Sequence, residues 1–273
     1  MKKTLKLIPA IVMLLISAIL VSTSTYAWFS MNSNVTATGM SVQAKAEGGI
    51  VISNANGSVW SNTANAVTAS AVLYPTSTKD VTSWYHNKST NADDAQASQA
   101  ASTYETLTLT KSATTYGVGY VEDGTAGYDG TEAAYYLLNT FTIKSSSENM
   151  SGITFYINSV SVTGTNTSAA LDASLRVAIK IAGDSSTYIY APVTGATTNY
   201  KVGGSDQTAI TVKTASDKNV ATAINAISTT GIGVEIYAYF EGEDAACKST
   251  NASGLTLDDL AVTVVFGTAT ITP

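Results

Sequence analysis

Strict alternation of apolar and polar side chains, repeated along the second half of the chain, is what most limits how this sequence can fold. In Ala173–Gly183, Leu175, Val177, Ile179 and Ile181 fall on one side, with Ser174, Arg176 and Lys180 expected to face out. Gly233–Asp244 aligns Val234, Ile236, Ala238 and Phe240, and Leu260–Ile271 aligns Leu260, Val262, Val264 and Phe266. Leu137, Phe141 and Ile143 share a face. So do Ile153, Phe155 and Ile157, before the phase shifts to Val160 and Val162. Side chains of a strand point alternately to opposite faces, so each run reads as a strand with one buried side. Sheets of that kind hide their apolar sides against each other, which predicts an all-β, two-sheet β-sandwich. Hairpin-type spacing fits the strands from Tyr135 to Ile181.

Two stretches depart from this period. In Ser216–Ser228, Val220, Ile224 and Ile227 recur at helical spacing, and Asn91–Ser102 carries Asp93 near a helix-type start. One or two short helices are expected there.

The first half is less regular. Val35-Thr36-Ala37 and then Met40 to Ala46 alternate, with a phase change at Gly39 that predicts a bulge or kink. Ile50-Val51-Ile52 forms a second strand after the Gly48-Gly49 turn. From about 53 to 131 Ser, Asn, Ala and Thr dominate, with apolar islands such as Ala71-Val72-Leu73-Tyr74. This region reads as a polar insertion in one β-sandwich domain, 47–273. Charged residues make up only 12% of the chain, about half the usual share. The 45% hydrophobic content supplies a sizeable core.

Ahead of the strands lies a leader. Lys2, Lys3 and Lys6 precede the apolar run Leu7–Val21, and Thr25 and Ala27 occupy the −3 and −1 positions of a cut before Trp28. Residues 1–27 are therefore expected to be a signal peptide with a helical apolar segment. Retention as a membrane anchor is the alternative. The expected location is outside the cell, in a matrix or at the surface, with membrane contact only through an uncleaved leader. The three leader lysines are among 14 basic residues, so the chain beyond the leader carries 20 acids against the other 11 bases. Such a surface repels nucleic acid.

Catalytic patterns are missing. His86 is the only histidine, and neither an HExxH helix nor a G-x-S-x-G elbow is present. The expectation is a protein that is not an enzyme and needs no cofactor. Two acidic clusters invite calcium or are plain turns: Glu122, Asp123, Asp129 and Glu132 around glycines, and Glu241, Glu243 and Asp244 after a strong strand. Cys247 is the sole cysteine, which leaves a buried thiol or an intermolecular bridge.

The basic start, the apolar run and then Thr25-Tyr26-Ala27-Trp28-Phe29-Ser30, followed by a strand, resemble proteins exported through the SipW-type signal peptidase. The later segment Gly233–Cys247 is similar to the C-terminal half of related secreted proteins. The group includes TasA, the biofilm matrix fibre protein of Gram-positive bacteria, and camelysin. The resemblance implies a jelly-roll sandwich assembled head-to-tail into extracellular fibres, the N-terminal strand of one subunit completing the sheet of the next. On that reading residues 28–46 are the donor strand. Trp28 and Phe29 anchor in a neighbour's pocket, and Val35, Met40 and Val42 set the register. The alternative is that Trp28 and Phe29 fold back on their own subunit. Camelysin-like members have been described as metalloproteases, but the usual ligands are not visible here. Three functions compete: a self-associating fibre subunit, an adhesin or surface-layer module that binds through the insertion, and a secreted hydrolase.

Overall fold

The computed structural model describes residues 35–54, 57, 59–65, 69–73, 76–87, 104–107, 110–111, 119–126, 132–164, 170–194, 196, 201–202, 205–206, 212–244, 247 and 261–270. The signal segment, Trp28, Phe29 and the helix expected at Asn91–Ser102 lie outside these residues. The described chain is all-β, apart from one 3-10 turn at Ala170–Ser174.

The first half contributes β1 (Val35–Ala46), β2 (Ile50–Asn54), β3 (Thr63–Asn65), β4 (Ala69–Leu73), β5 (Ser77–Thr78), β6 (Trp84–Asn87), β7 (Tyr104–Leu107), β8 (Thr110–Lys111) and β9 (Gly119–Ala126). Then come β10 (Glu132–Ser145), β11 (Met150–Ser151), β12 (Ile153–Thr163), β13 (Leu175–Ile181) and β14 (Thr187–Ala191). The remainder are β15 (Lys201–Val202), β16 (Ser205–Asp206), β17 (Lys213–Thr214), β18 (Asn219–Val220), β19 (Ala226–Ile227), β20 (Ile232–Phe240) and β21 (Ala261–Thr270).

A front sheet runs β17-β14-β13-β20-β10, with β2, β4 and β9 along the far side of the long β10. A back sheet runs β3-β1-β21-β12-β18. The two are joined by β1. Its first half pairs antiparallel with β4, and its second half pairs parallel with β21 and antiparallel with β3. The register slips between Ala37 and Met40, where the sequence changes phase. A bulge bends and twists a strand, and that lets one strand serve both sheets.

The inner faces meet in one core. β1 supplies Val42, Ala44 and Ala46, β12 supplies Ile153, Phe155 and Ile157, and β21 supplies Val262, Val264 and Phe266. Opposite them lie Phe141 and Ile143 of β10, Val177, Ile179 and Ile181 of β13, and Val234 and Ile236 of β20. Phe155 and Phe266 stack with ring centroids 5.9 Å apart. The alternating positions of the sequence therefore form the interior of a β-sandwich.

The outer face of the front sheet is also dry. Tyr136, Leu138, Ala178, Ile189, Tyr237 and Tyr239 form a second apolar cluster, closed over by Val81 and Trp84. Trp84 stacks on Tyr136 at 4.2 Å and meets Tyr239 edge-on at 5.3 Å. The cover is the small sheet β5-β6-β7, which falls within the polar stretch at 53–131. The front sheet is thus the middle of three layers.

Three expectations are corrected. Ser216–Ser228 is not helical: β18 pairs with β12, β19 pairs with β11, and a turn closed by the Ile224 N–H donating to the Ala221 carbonyl separates them. Val220 is exposed while Ala221, Ile224 and Ile227 are buried, so the spacing reflects two short bridges over the sandwich end. Consecutive strands do not form hairpins from Tyr135 to Ile181. β10 pairs with β20, and β12 pairs with β21 in the other sheet. Arg176 does lie on the outer face, but that face is covered and Arg176 is completely buried.

Glu47, Gly48 and Gly49 join β1 to β2, with φ +75° at Gly48 and +85° at Gly49. A Cβ on Gly48 would lie 2.5 Å from the Thr268 carbonyl oxygen. The Gly48→Ala variant meets both a left-handed backbone and a clash, so a loss of about 2–4 kcal/mol is expected. Urea denaturation reads this as a lower midpoint at unchanged slope.

Candidate functional site

The donor-strand residues fall on β1. Val35 is opposite Leu73 and Met40 opposite Ala69, both on β4. Val42 is opposite Val262 of β21 and is buried. At Gln43–Lys45 the strand is paired on both edges, and the Gln43 side-chain amide donates to Asn65 Oδ1 at 2.8 Å. Within a single chain, then, β1 fills a slot lined by β3, β4 and β21. Thr25, Ala27, Trp28 and Phe29 are outside the described residues.

The first acidic cluster is divided between strands. Glu122 and Asp123 lie on β9, Glu132 opens β10, and the two strands form an antiparallel pair. Asp129 is outside the described residues. His86 lies on β6, in register with Glu105 of β7.

The second cluster is the strongest polar constellation that is described. Glu241, Glu243 and Asp244 follow β20 and are all buried, as are Asp172 and Ser174 on the 3-10 turn and Arg176 on β13. Arg176 Nη2 donates to Asp244 Oδ2 at 2.5 Å. Its Nη1 donates to the carbonyls of Ala173 at 2.8 Å and Leu175 at 3.0 Å. The Ser77 hydroxyl of β5 donates to Glu241 Oε1. The Glu243 N–H donates to the same oxygen at 3.2 Å.

Backbone bonds fix this arrangement. The Thr76 N–H donates to the Phe240 carbonyl and the Gly242 N–H donates to the Thr76 carbonyl, both at 3.0 Å. The Glu241 N–H donates to the Ser174 carbonyl at 2.8 Å. The segment leading into β5 therefore runs alongside the end of β20, with Thr76 bridged in parallel to Glu241.

Burial dominates the electrostatics. It pushes the Glu241 carboxyl up to about 7, with Arg176 and the Ser77 hydrogen bond pulling the other way. The Cys247 thiol is buried and pushed up to about 12, mainly by the same desolvation, so it is an inert thiol in this fold. Among the described residues no group of three or more His, Cys, Asp or Glu is arranged to hold a metal ion. Within this arrangement the Arg176 guanidinium supplies the positive charge that faces Asp244.

Arg176 and Ser77 were not legible as members of this cluster. One signal was available: Arg176 is the only arginine in the sequence. A planar guanidinium suits a buried, many-donor role that lysine fills poorly. Ser77 carries no such mark, because it sits among many similar residues of a Ser-rich stretch.

No protein-family model matches the chain, and no curated protein and no solved structure is significantly similar to it.

Proposed function

We propose that the protein is a secreted structural subunit that assembles head-to-tail into extracellular fibres, each subunit donating its N-terminal strand to the next. The observation that carries this reading is the place of β1. It is the first strand of the described chain, yet it lies between β4 and β21 and contributes Val42, Ala44 and Ala46 to the main core. The short Glu47–Gly49 link is its connection to β2. An element that comes first among the described strands but lies inside the sheet leaves unpaired backbone and an apolar slot when it withdraws. A second copy's β1 matches that slot residue for residue, because it is the same sequence. Exchange then gives a heterologous contact that propagates.

Two experiments test it. Electron microscopy of the chain starting at Trp28 should show filaments, and a version lacking Trp28 to Val42 should show none. The second experiment keeps β1 intact. Monomers of Gln43→Cys/Asn65→Cys, oxidised before assembly, tie β1 to its own β3. They should stay monomeric, and reduction should restore assembly. Oxidised monomers that polymerise like the wild type would sink the exchange mechanism. In that case the reading of β1 as a permanent internal strand would stand.

A further inference from the structure

We propose that the Glu47–Gly49 link governs whether β1 is exchanged, with Thr268 and Ser146 as the clasp that holds the strand in its own subunit. This rests on the exchange reading given above and supplies its control point.

The link crosses from one sheet to the other. β1 ends in the back sheet, where Ala46 is opposite Phe266 of β21, and β2 begins in the front sheet, where Ile50 is opposite Ser145 of β10. Only Glu47, Gly48 and Gly49 connect the two, so the chain must turn sharply. It does so through left-handed backbone at both glycines, with φ of +75° and +85°. Each sheet holds one of the two glycine carbonyls. The Thr268 hydroxyl of β21 donates to the Gly48 carbonyl at 2.5 Å. Ser146, directly after β10, donates to the Gly49 carbonyl twice, through its N–H at 3.0 Å and its hydroxyl at 2.9 Å. Thr268 is steadied in turn. The Tyr156 hydroxyl donates to its carbonyl at 3.4 Å, and the Tyr156 ring packs on Gly267 so closely that an added Cβ there would meet it at 2.6 Å. Glu47, Gly48 and Gly49 are all exposed, so the link can open without touching the core.

Exchange makes this small segment decisive. When one copy's β1 replaces another's, the ladders to β3, β4 and β21 are lost and regained in the same form. So is the burial of Val42, Ala44 and Ala46. These contributions cancel between a self-filled and an exchanged subunit, because the two copies are identical. The link does not cancel. After exchange Ala46 lies in one subunit and Ile50 in another, so the turn between them straightens. Straightening breaks the hold of Thr268 and Ser146 and ends the need for positive φ. Glycine makes the closed turn free of strain, so the native link favours the self-filled form until subunit concentration outweighs it. A side chain at position 48 penalises the closed turn alone. The substitution that weakens the isolated subunit is therefore expected to promote exchange.

The test uses the chain starting at Trp28 with the Gln43→Cys/Asn65→Cys pair, kept reduced during incubation and oxidised afterwards. The position of β1 is then recorded as a disulfide within one chain or between two. The readout, on a non-reducing gel, is the protein concentration at which half the chains are joined to another. Adding Thr268→Val, which keeps the side-chain shape and removes the hydroxyl, should lower that concentration about three- to tenfold. Adding Gly48→Ala should lower it about thirtyfold or more. Adding Ile189→Ala, in the outer cluster away from β1 and the link, weakens both forms alike and should leave it unchanged. If the parent protein exchanges, two results would overturn the clasp and leave exchange standing. One is an unchanged or higher concentration in Thr268→Val and Gly48→Ala, and the other is an equal fall in Ile189→Ala. Disulfides confined within single chains in every protein, at every concentration, would overturn exchange itself and the clasp with it.

Discussion

Arg176→Ala is expected to cost about 3–5 kcal/mol of folding stability, because it leaves a buried carboxylate without its counter-charge. Arg176 and Asp244 are 0% and 1% exposed at the side chain, so water cannot take over the lost bond. Glu241 and Glu243 are buried beside them and deepen the loss. The carbonyls of Ala173 and Leu175 lose their donors as well. Against a typical domain stability of about 5–15 kcal/mol, this is a large fraction. The double variant Arg176→Met/Asp244→Asn removes both charges and should recover a substantial part of the loss, since much of the cost of breaking a buried pair lies in the orphaned partner. Chemical denaturation of the three proteins decides the matter. A loss below about 1 kcal/mol for Arg176→Ala, the range of a surface pair, would mean that water reaches this cluster in solution.

The second large effect is at Trp84. Removing a fully buried aromatic side chain costs about 3–5 kcal/mol, and its ring contacts add to that. In Trp84→Ala the stack on Tyr136 and the edge contact with Tyr239 both disappear. Trp84 belongs to the outer layer and not to the inner core, so the damage should be uneven. Hydrogen exchange should show the amides of β5 and β6 losing protection first. Those of β12 and β21, around Phe155 and Phe266, should keep most of theirs. Uniform loss across both sheets would mean that the three layers unfold as one unit.

For the faces turned into the sandwich, the sequence was a good guide. Leu175, Val177, Ile179 and Ile181 on β13, and Val234, Ile236 and Phe240 on β20, lie in the structure on the faces their alternation indicated. The phase change at Gly39 coincides with the slip in β1. Alternation reports only which side a residue is on, however, not what covers that side. Alternation puts Arg176 on the correct face but leaves it looking wet, because nothing in its neighbourhood announces Asp244, 68 residues later, as its partner. The same blindness hid the partners of the Glu241, Glu243 and Asp244 cluster, which come from β5, β13 and the 3-10 turn. In Ser216–Ser228 a periodicity was present, but its cause was two separate cross-strand bridges. Pairing order was equally opaque: β10 and β12 are neighbours in sequence yet join different sheets, a choice set by long-range packing.

The parallel pairing of β1 with β21 determines how the fold carries mechanical load. Ser41 to Ala46 run alongside Ala261 to Phe266 in the same direction. The N-terminal end of β1 and the C-terminal end of β21 therefore lie at opposite ends of the pair. Tension applied through those two ends slides one strand along the other and strains all their hydrogen bonds together. An antiparallel pair pulled from adjacent ends would peel open one bond at a time. The strand that ties the two sheets together is thus oriented to resist being pulled out along its length.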